Sequence, residues 1–272
     1  METEGAGSDD WLEVNRANWD ARVPIHVESR LYDIPTFVAG QDTLRAYEPG
    51  EVGDVRGKTL LHLQCHVGLD TLSWARRGAT VTGLDFSQPA LDVAASVAAE
   101  IRVPARFVVA NVYDAAKVLE GETFDVVYIS VGSLQFLPDL EQWGRVVAAL
   151  VAPGGFCYVV DGHPFIHFVE DDGRTLRGDY FSRDAILLDQ GTYADPRAKL
   201  RSSVSVEWHH NTADVVTALG VAGLRVEFLH EHDWTWYQIL PVSVQHEDGH
   251  WRFPDGGPRI PLAYSLRAAK GL

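Results

Sequence analysis

From Thr59 onward the chain alternates short, mostly apolar runs with longer stretches whose apolar residues recur at helical spacing. The first run, Thr59-Leu60-Leu61-His62-Leu63, has the near-continuous apolarity of a parallel strand covered on both faces. A helix is expected from Gly68, with Leu69, Leu72 and Ala75 on one side and Gly78 at its stop. Residues 79–84 read as a second strand. Ser87 then suits an N-cap and Pro89 a first turn, with Leu91, Ala94, Ala95 and Ala98 as the inner face of the next helix. Residues 106–110 and 124–130 read as strands three and four. Pro138-Asp139 opens a helix carrying Leu140, Trp143, Val147 and Leu150. Pro153-Gly154-Gly155 is expected to turn the chain into strand five, residues 156–160. Strands joined by helices in this rhythm predict an α/β architecture for residues 57–160, a doubly wound, Rossmann-like parallel sheet.

On either side the rhythm changes. Residues 1–56 hold two or three amphipathic pieces, anchored by Trp11, Trp19, Leu31, Tyr32 and Phe37, and are expected to form a helical lid. Residues 161–210 are polar and turn-rich (Asp171-Asp172-Gly173, Asp189-Gln190-Gly191, Asp195-Pro196) and read as an insertion with a short strand near 204–208. Residues 211–272 return to the core, with a helix at 212–219 and strands at 224–232 and 261–269.

Composition narrows the partners. With 23 basic and 38 acidic residues the formal charge is −15. That sign disfavours nucleic-acid phosphates and anionic membrane surfaces. Only Cys65 and Cys157 occur, without a CxxC pair, which predicts a reduced, cytoplasmic setting. The acidic start, Met1-Glu2-Thr3-Glu4-Gly5, lacks the apolar stretch of a signal peptide. No run reaches the roughly 18 apolar residues of a membrane span. His209, His210, His230 and His232 form no compact ligand motif, so no metal is expected. Oligomeric state leaves no mark on the sequence.

In an open parallel sheet ligands bind beyond the carboxyl ends of the strands. The informative residues are therefore Gln64-Cys65-His66-Val67-Gly68, then Asp85-Phe86-Ser87, Asn111-Val112-Tyr113, Ser130-Val131-Gly132-Ser133 and Asp161-Gly162-His163. Asp85, 17 residues past Gly68, is placed to accept hydrogen bonds from both ribose hydroxyls of an adenine nucleoside, or to act as a helix-entry acid beside Ser87. Asn111 suits the adenine amine or a simple turn. The first loop has one glycine where a dinucleotide pyrophosphate needs G-x-G-x-x-G, and no phosphate-binding P-loop occurs.

These segments together resemble the class I S-adenosylmethionine-dependent methyltransferases, in a bacterial small-molecule branch. The first motif is 60–68, the ribose acid lies in Val81-Thr82-Gly83-Leu84-Asp85-Phe86-Ser87, the fourth-strand motif runs through Phe124-Asp125-Val126-Val127 to Leu137-Pro138-Asp139, and Pro153-Gly154-Gly155 precedes strand five. His62 replaces the usual acid, Gln64 and His66 replace glycines, and Gln135 and Phe136 stand where many relatives carry histidines. The resemblance implies a seven-stranded sheet with an antiparallel last strand. It implies S-adenosylmethionine as cofactor, held by Trp19, Gln64, Cys65, His66, Gly68, Asp85, Phe86, Ser87, Asn111, Val112, Tyr113, Ser130 and Val131.

The implied chemistry is methyl transfer to an O or N atom of a small molecule, of the kind found in bacterial secondary metabolism. His163 is the expected base, with a backbone-bonded turn histidine as its alternative. His26, Tyr32, Gln135, Phe136 and Trp236 are the expected acceptor contacts. The aromatic group Trp234, Trp236, Tyr237, Trp251 and Phe253 suits either a pocket wall or a small core. Two other functions are open at this level: an NAD-dependent oxidoreductase, and a protein that binds S-adenosylmethionine without transferring its methyl group.

Overall fold

The computed structural model describes residues 10–195 and 197–272. The acidic start of the expected lid and Pro196 of the Asp195-Pro196 turn lie outside them. In chain order the helices and strands are α1 (Trp11–Glu28), α2 (Ile34–Val38), α3 (Glu48–Val52), β1 (Thr59–Leu63), α4 (Leu69–Arg76), β2 (Thr80–Asp85), α5 (Gln88–Glu100), β3 (Arg106–Val109), α6 (Ala115–Val118), β4 (Phe124–Ile129), α7 (Leu140–Leu150), β5 (Val151–Gly162), β6 (Ala185–Asp189), β7 (Val204–Trp208), α8 (Thr212–Val221), β8 (Arg225–His232), β9 (Val244–Gln245), β10 (Trp251–Arg252) and β11 (Ala263–Ala269).

Among the described residues one sheet has seven strands in the order β3-β2-β1-β4-β5-β11-β8. Pairing is parallel from β3 to β5, and β11 runs antiparallel to both neighbours. The chain moves outward from β1 to β3, then starts again on the other side at β4. The crevice between the carboxyl ends of β1 and β4 is the switch point where such sheets hold ligands.

Both faces are buried, as the apolar runs require. Leu61, Leu63, Val127, Ile129 and Val159 pack under α7 and α8. Their neighbours Leu60, Val126, Tyr128, Tyr158 and Val160 face the other way, with Trp74 and Val52. Local polar signals set the helix starts. The Ser87 hydroxyl accepts from Ala90 N–H and the Asp139 carboxylate from Gln142 N–H, while Asn211 and Asp214 form a reciprocal capping box.

Helices α7 and α8 touch through Gly144, where an added Cβ would stand 2.5 Å from the carbonyl oxygen of Ala218. Backbone cannot retreat as a side chain can, so Gly144→Ala is expected to destabilise by about 1–3 kcal/mol despite alanine's better helix propensity. A urea midpoint unchanged from wild type would refute this.

Three expectations need correction. Strand β5 starts at Val151, so Pro153-Gly154-Gly155 is not a turn before the strand. It lies within it as an irregularity, the register passing from Phe124↔Val151 to Val126↔Phe156. Leu31 anchors nothing, being 51% exposed. The lid helix α1 is not apolar inside: Asn15, Asn18, Arg22 and His26 are buried beside Val23. Asn15 uses its whole amide on the backbone of β7, with Nδ2 donating to Val206 O and Oδ1 accepting from Val206 N–H, both at 2.8 Å.

Candidate functional site

A cavity of about 1410 Å³ opens at the carboxyl edge of the sheet, walled by α1, the β4 and β5 loops, the 161–210 segment and the β8–β11 connection. Its floor is built by the first loop. Gln64, His66 and Gly68 all lie in the left-handed region, at φ 55°, 49° and 71°. Glycine adopts this conformation freely, whereas a residue with a Cβ is strained there by about 1–2 kcal/mol. Both non-glycine side chains are tied down. Gln64 Nε2 donates to Ser133 O at 3.1 Å, and His66 Nε2 lies 2.8 Å from His26 Nδ1.

Asp85 ends β2 beside this loop. One carboxylate oxygen accepts from His66 N–H at 2.8 Å, the other from Ser87 N–H at 2.9 Å. Each keeps a lone pair for a further donor. Burial lifts its pKa to about 6, against the pull of those two N–H groups. Asp161, at the end of β5, takes two backbone N–H groups on one oxygen: Oδ1 accepts from Gly132 N–H at 2.6 Å and Gly162 N–H at 2.7 Å, and burial lifts it to about 6 as well.

The pH consequence has a definite sign. Between about pH 4 and 6 the folded state keeps protons on Asp85 and Asp161 that the unfolded chain releases, so their contribution to stability declines across that window. Asp161→Asn keeps an acceptor for both N–H groups without the charge. Its stability relative to wild type is expected to improve as the pH rises from 4.5 to 7. A constant difference in thermal midpoint across those pH values would contradict the assignment.

The residues singled out from sequence separate into two sets. Trp19, Gln64, Cys65, His66, Gly68, Asp85, Phe86, Ser130 and Val131 line the cavity, as do Tyr32, Gln135, Phe136 and Trp236. Trp19 sits edge-on to both His66 and Phe136, with ring centroids 5.2 and 5.3 Å away.

The second set does not line the cavity. Ser87 is spent on its cap and on Asp20, to which its hydroxyl donates at 2.5 Å. Asn111 accepts from Tyr113 N–H and starts a 3₁₀ turn, Val112 is in the core, and the Tyr113 hydroxyl bonds the backbone of Asp139. His26 is fully buried between His66 and Thr192, 2.8 and 2.6 Å from them, and burial pushes its pKa down to about 3.

His163 is the main correction. It is 4% exposed, its Nδ1 accepts from Phe165 N–H at 3.2 Å, and its Nε2 faces Glu231 and Thr212 at 3.0 and 3.1 Å. Both nitrogens are engaged away from the cavity, as in a turn histidine.

The aromatic group after β8 divides. Trp236 and Tyr237 line the cavity, Trp234 stacks on His250, and Phe253 joins Ile166, Leu240 and Leu262 in a small core. Among the described residues no group of three or more His, Cys, Asp or Glu side chains is placed to hold a metal.

Cavity residues missed from sequence include two arginines. Arg45 pairs with Asp70 at 2.9 Å and Glu48 at 3.1 Å, its guanidinium 5.1 Å from the Trp236 ring centroid. Arg22 faces the cavity from α1. Helical spacing from Trp19 to Arg22 to His26 was the available signal, hidden by the assumption that an inner face is apolar.

Comparisons agree with this geometry. Residues 61–157 match a family model described as a methyltransferase domain. A ubiquinone biosynthesis O-methyltransferase of Chromobacterium violaceum is 36% identical over 104 residues, 38% of this chain and 44% of that protein. One from Photorhabdus laumondii subsp. laumondii is 29% identical over 163 residues, 59% and 64% of the two chains. The chain thus covers less than half the length of the first of these relatives. Among solved structures, an S-adenosylmethionine-dependent methyltransferase from Mesorhizobium loti superposes with a TM-score of 0.60 at 22% identity, over 86% of this chain and all of that one. A magnesium protoporphyrin IX methyltransferase from Synechocystis, solved with S-adenosylhomocysteine, gives 0.51 at 14%, over 93% and 100%. The strand order and the antiparallel β11 give the chain the fold of these S-adenosylmethionine-dependent methyltransferase structures, and residues 61–157 carry the match to a methyltransferase domain.

Proposed function

We propose that this protein is an enzyme that transfers the methyl group of S-adenosylmethionine to an O or N atom of a small molecule. The observation that carries this is Asp85: a cavity-facing carboxylate, fixed by two backbone N–H groups, beside a loop whose three alternate residues are left-handed. The residues present fit the cofactor. Asp85 has one free lone pair on each oxygen for the two ribose hydroxyls, and the buried Gln64 Oε1 and Ser133 Oγ lack partners at the adjoining edge. Trp19 and Phe136 would close over the strip between them.

When bound, S-adenosylmethionine supplies a methyl group already activated by the sulfonium. What the chain must add is chiefly placement: an acceptor held in line with the methyl gains up to about 7–11 kcal/mol from orientation in model systems. The cavity is larger than the roughly 300–1,000 Å³ of an ordinary ligand pocket, which suits a cofactor and an acceptor together. With His163 turned away, the cavity-lining histidines His62, His66, His167, His209 and His210 remain. Burial holds all five below the usual histidine range, so they stand as neutral imidazoles near pH 7.

The 161–210 segment and the 1–56 lid are read as the acceptor-side walls, and 57–160 with 211–272 as the sheet that carries the cofactor. A reduced, cytoplasmic setting accords with two buried free cysteines, and a role in bacterial secondary metabolism is part of the same reading. Among the described residues no helix is long and apolar enough to cross a membrane.

Calorimetric titration with S-adenosylhomocysteine, with NAD as control, tests the proposal. Micromolar binding of the first alone is expected. Heat from NAD alone would favour the oxidoreductase. Tight S-adenosylhomocysteine binding without methyl transfer to any of a broad acceptor panel would favour a non-transferring protein.

A further inference from the structure

Arg22 is the one arginine lining the cavity that makes no salt bridge among the described residues. It is 7% exposed, and its Nε is buried without a hydrogen-bond partner. The guanidinium carbon lies 4.9 Å from the Trp19 ring centroid, so the planar group is held by stacking. The acid whose charge reaches it is Glu207, but its Oε1 takes the Ser205 hydroxyl at 3.0 Å, and burial holds its carboxyl above the usual range. Tyr32 and Tyr193 stand close by, their hydroxyls 2.6 Å apart and engaged with one another. Arg45, by contrast, has two carboxylates of its own.

A buried, unpaired guanidinium is destabilising, and burial indeed pulls its pKa down. Its planar fork of donors matches a carboxylate in two-point geometry. We infer that Arg22 is a carboxylate anchor and that the methyl acceptor is a small organic acid, bound with its carboxylate on Arg22 and its body against Trp19, Tyr32 and Tyr193. A monoanion is the better match, since a single cation with Glu207 nearby cannot neutralise a phosphate dianion.

The cofactor's methionine tail also ends in a carboxylate. Placement favours the acceptor. Tyr32, Tyr193 and Glu207, the groups whose charge Arg22 feels, belong to the lid and the 161–210 segment; Trp19 and His66 of the cofactor strip also lie beside it, so titration decides which carboxylate it takes.

This inference rests on the proposed methyl transfer, and the experiment separates the two. Wild-type protein, Arg22→Met and Arg22→Lys are titrated with S-adenosylhomocysteine and with methylthioadenosine, which lacks the amino-acid tail. Failure of wild type to bind either is a failure of the cofactor assignment. Arg22→Met is expected to bind both with wild-type affinity. Selective loss of S-adenosylhomocysteine binding would assign Arg22 to the cofactor and overturn the acceptor role.

The S-adenosylhomocysteine-saturated proteins are then probed with benzoate, 4-hydroxybenzoate, cinnamate and indole-3-acetate, each against its neutral amide. At least one acid is expected to bind wild type about ten- to a hundredfold more tightly than its amide. Arg22→Met should abolish that preference and Arg22→Lys keep part of it. The unliganded Arg22→Met protein is expected to melt higher than wild type, which loss of a structural arginine would not produce. No acid preferred over its amide, or a lower melting point with the preference intact, overturns the inference.

Discussion

Alanine at position 85 is expected to weaken S-adenosylhomocysteine binding by about two to four orders of magnitude while leaving the molecule folded. Two hydroxyl hydrogen bonds to a carboxylate contribute about 1.5–3 kcal/mol each, and every 1.4 kcal/mol is tenfold in affinity. Part of the loss is indirect. Asp85 also accepts the His66 and Ser87 N–H groups, and without it the backbone of the first loop loses its acceptor at His66. Asp85→Asn separates the two effects, since an amide keeps one acceptor for the loop but no charge for the ribose. Calorimetry gives the affinity, and circular dichroism with a thermal melt confirms the fold. A dissociation constant within threefold of wild type for Asp85→Ala would remove Asp85 from the cofactor site.

Asn15→Ala is expected to lower stability by about 2–4 kcal/mol, a large effect for a polar residue. Its amide is fully buried and bonded at both ends to Val206. It finishes the outer edge of β7, whose other edge pairs with β6. Alanine strands one buried donor and one buried acceptor, each at about 1–3 kcal/mol. Asn15→Asp should be no better, because a carboxylate turns an oxygen toward the Val206 carbonyl. Urea denaturation measures the loss, and limited proteolysis should find residues 161–210 cut faster. Wild-type values in both assays would mean that the edge-on contact of Trp11 with Trp208, centroids 5.8 Å apart, suffices to hold this hairpin.

How much was legible in the sequence followed from how each element is buried. Strands β1, β2, β4 and β5 lie between two helical layers, so nearly every residue must be apolar and the runs stand out, whereas edge strand β3 is only part-buried. Polar residues of fixed purpose gave the helix starts, Ser87 and Asp139 among them. Helix α1 hid its inner face because that face binds backbone and lines a cavity, which calls for Asn, Arg and His. The pair β6–β7 was half visible, since only β7 carries the alternation of a strand with one face inward. At the site, the strand ends pointed to the right loops, but sequence position could not say which way a side chain turns. Asn111 and His163 follow strands three and five, yet each spends its side chain on the next turn of its own backbone. Arg22 lies far from every strand end, and only the folding of α1 across the crevice brings it to the cavity.

The left-handed first loop has an entropic consequence for any ligand it receives. A glycine in such a position roams over several basins of backbone conformation when the site is empty, and that freedom is lost on binding. Gln64 and His66, each with a Cβ and each with its side chain bonded elsewhere, are confined to one narrow basin beforehand. Folding has already met the strain, so association has less disorder to remove. Two substitutions that look, letter by letter, like damage to a glycine motif thus leave a receptor that is stiffer than its glycine-rich counterpart.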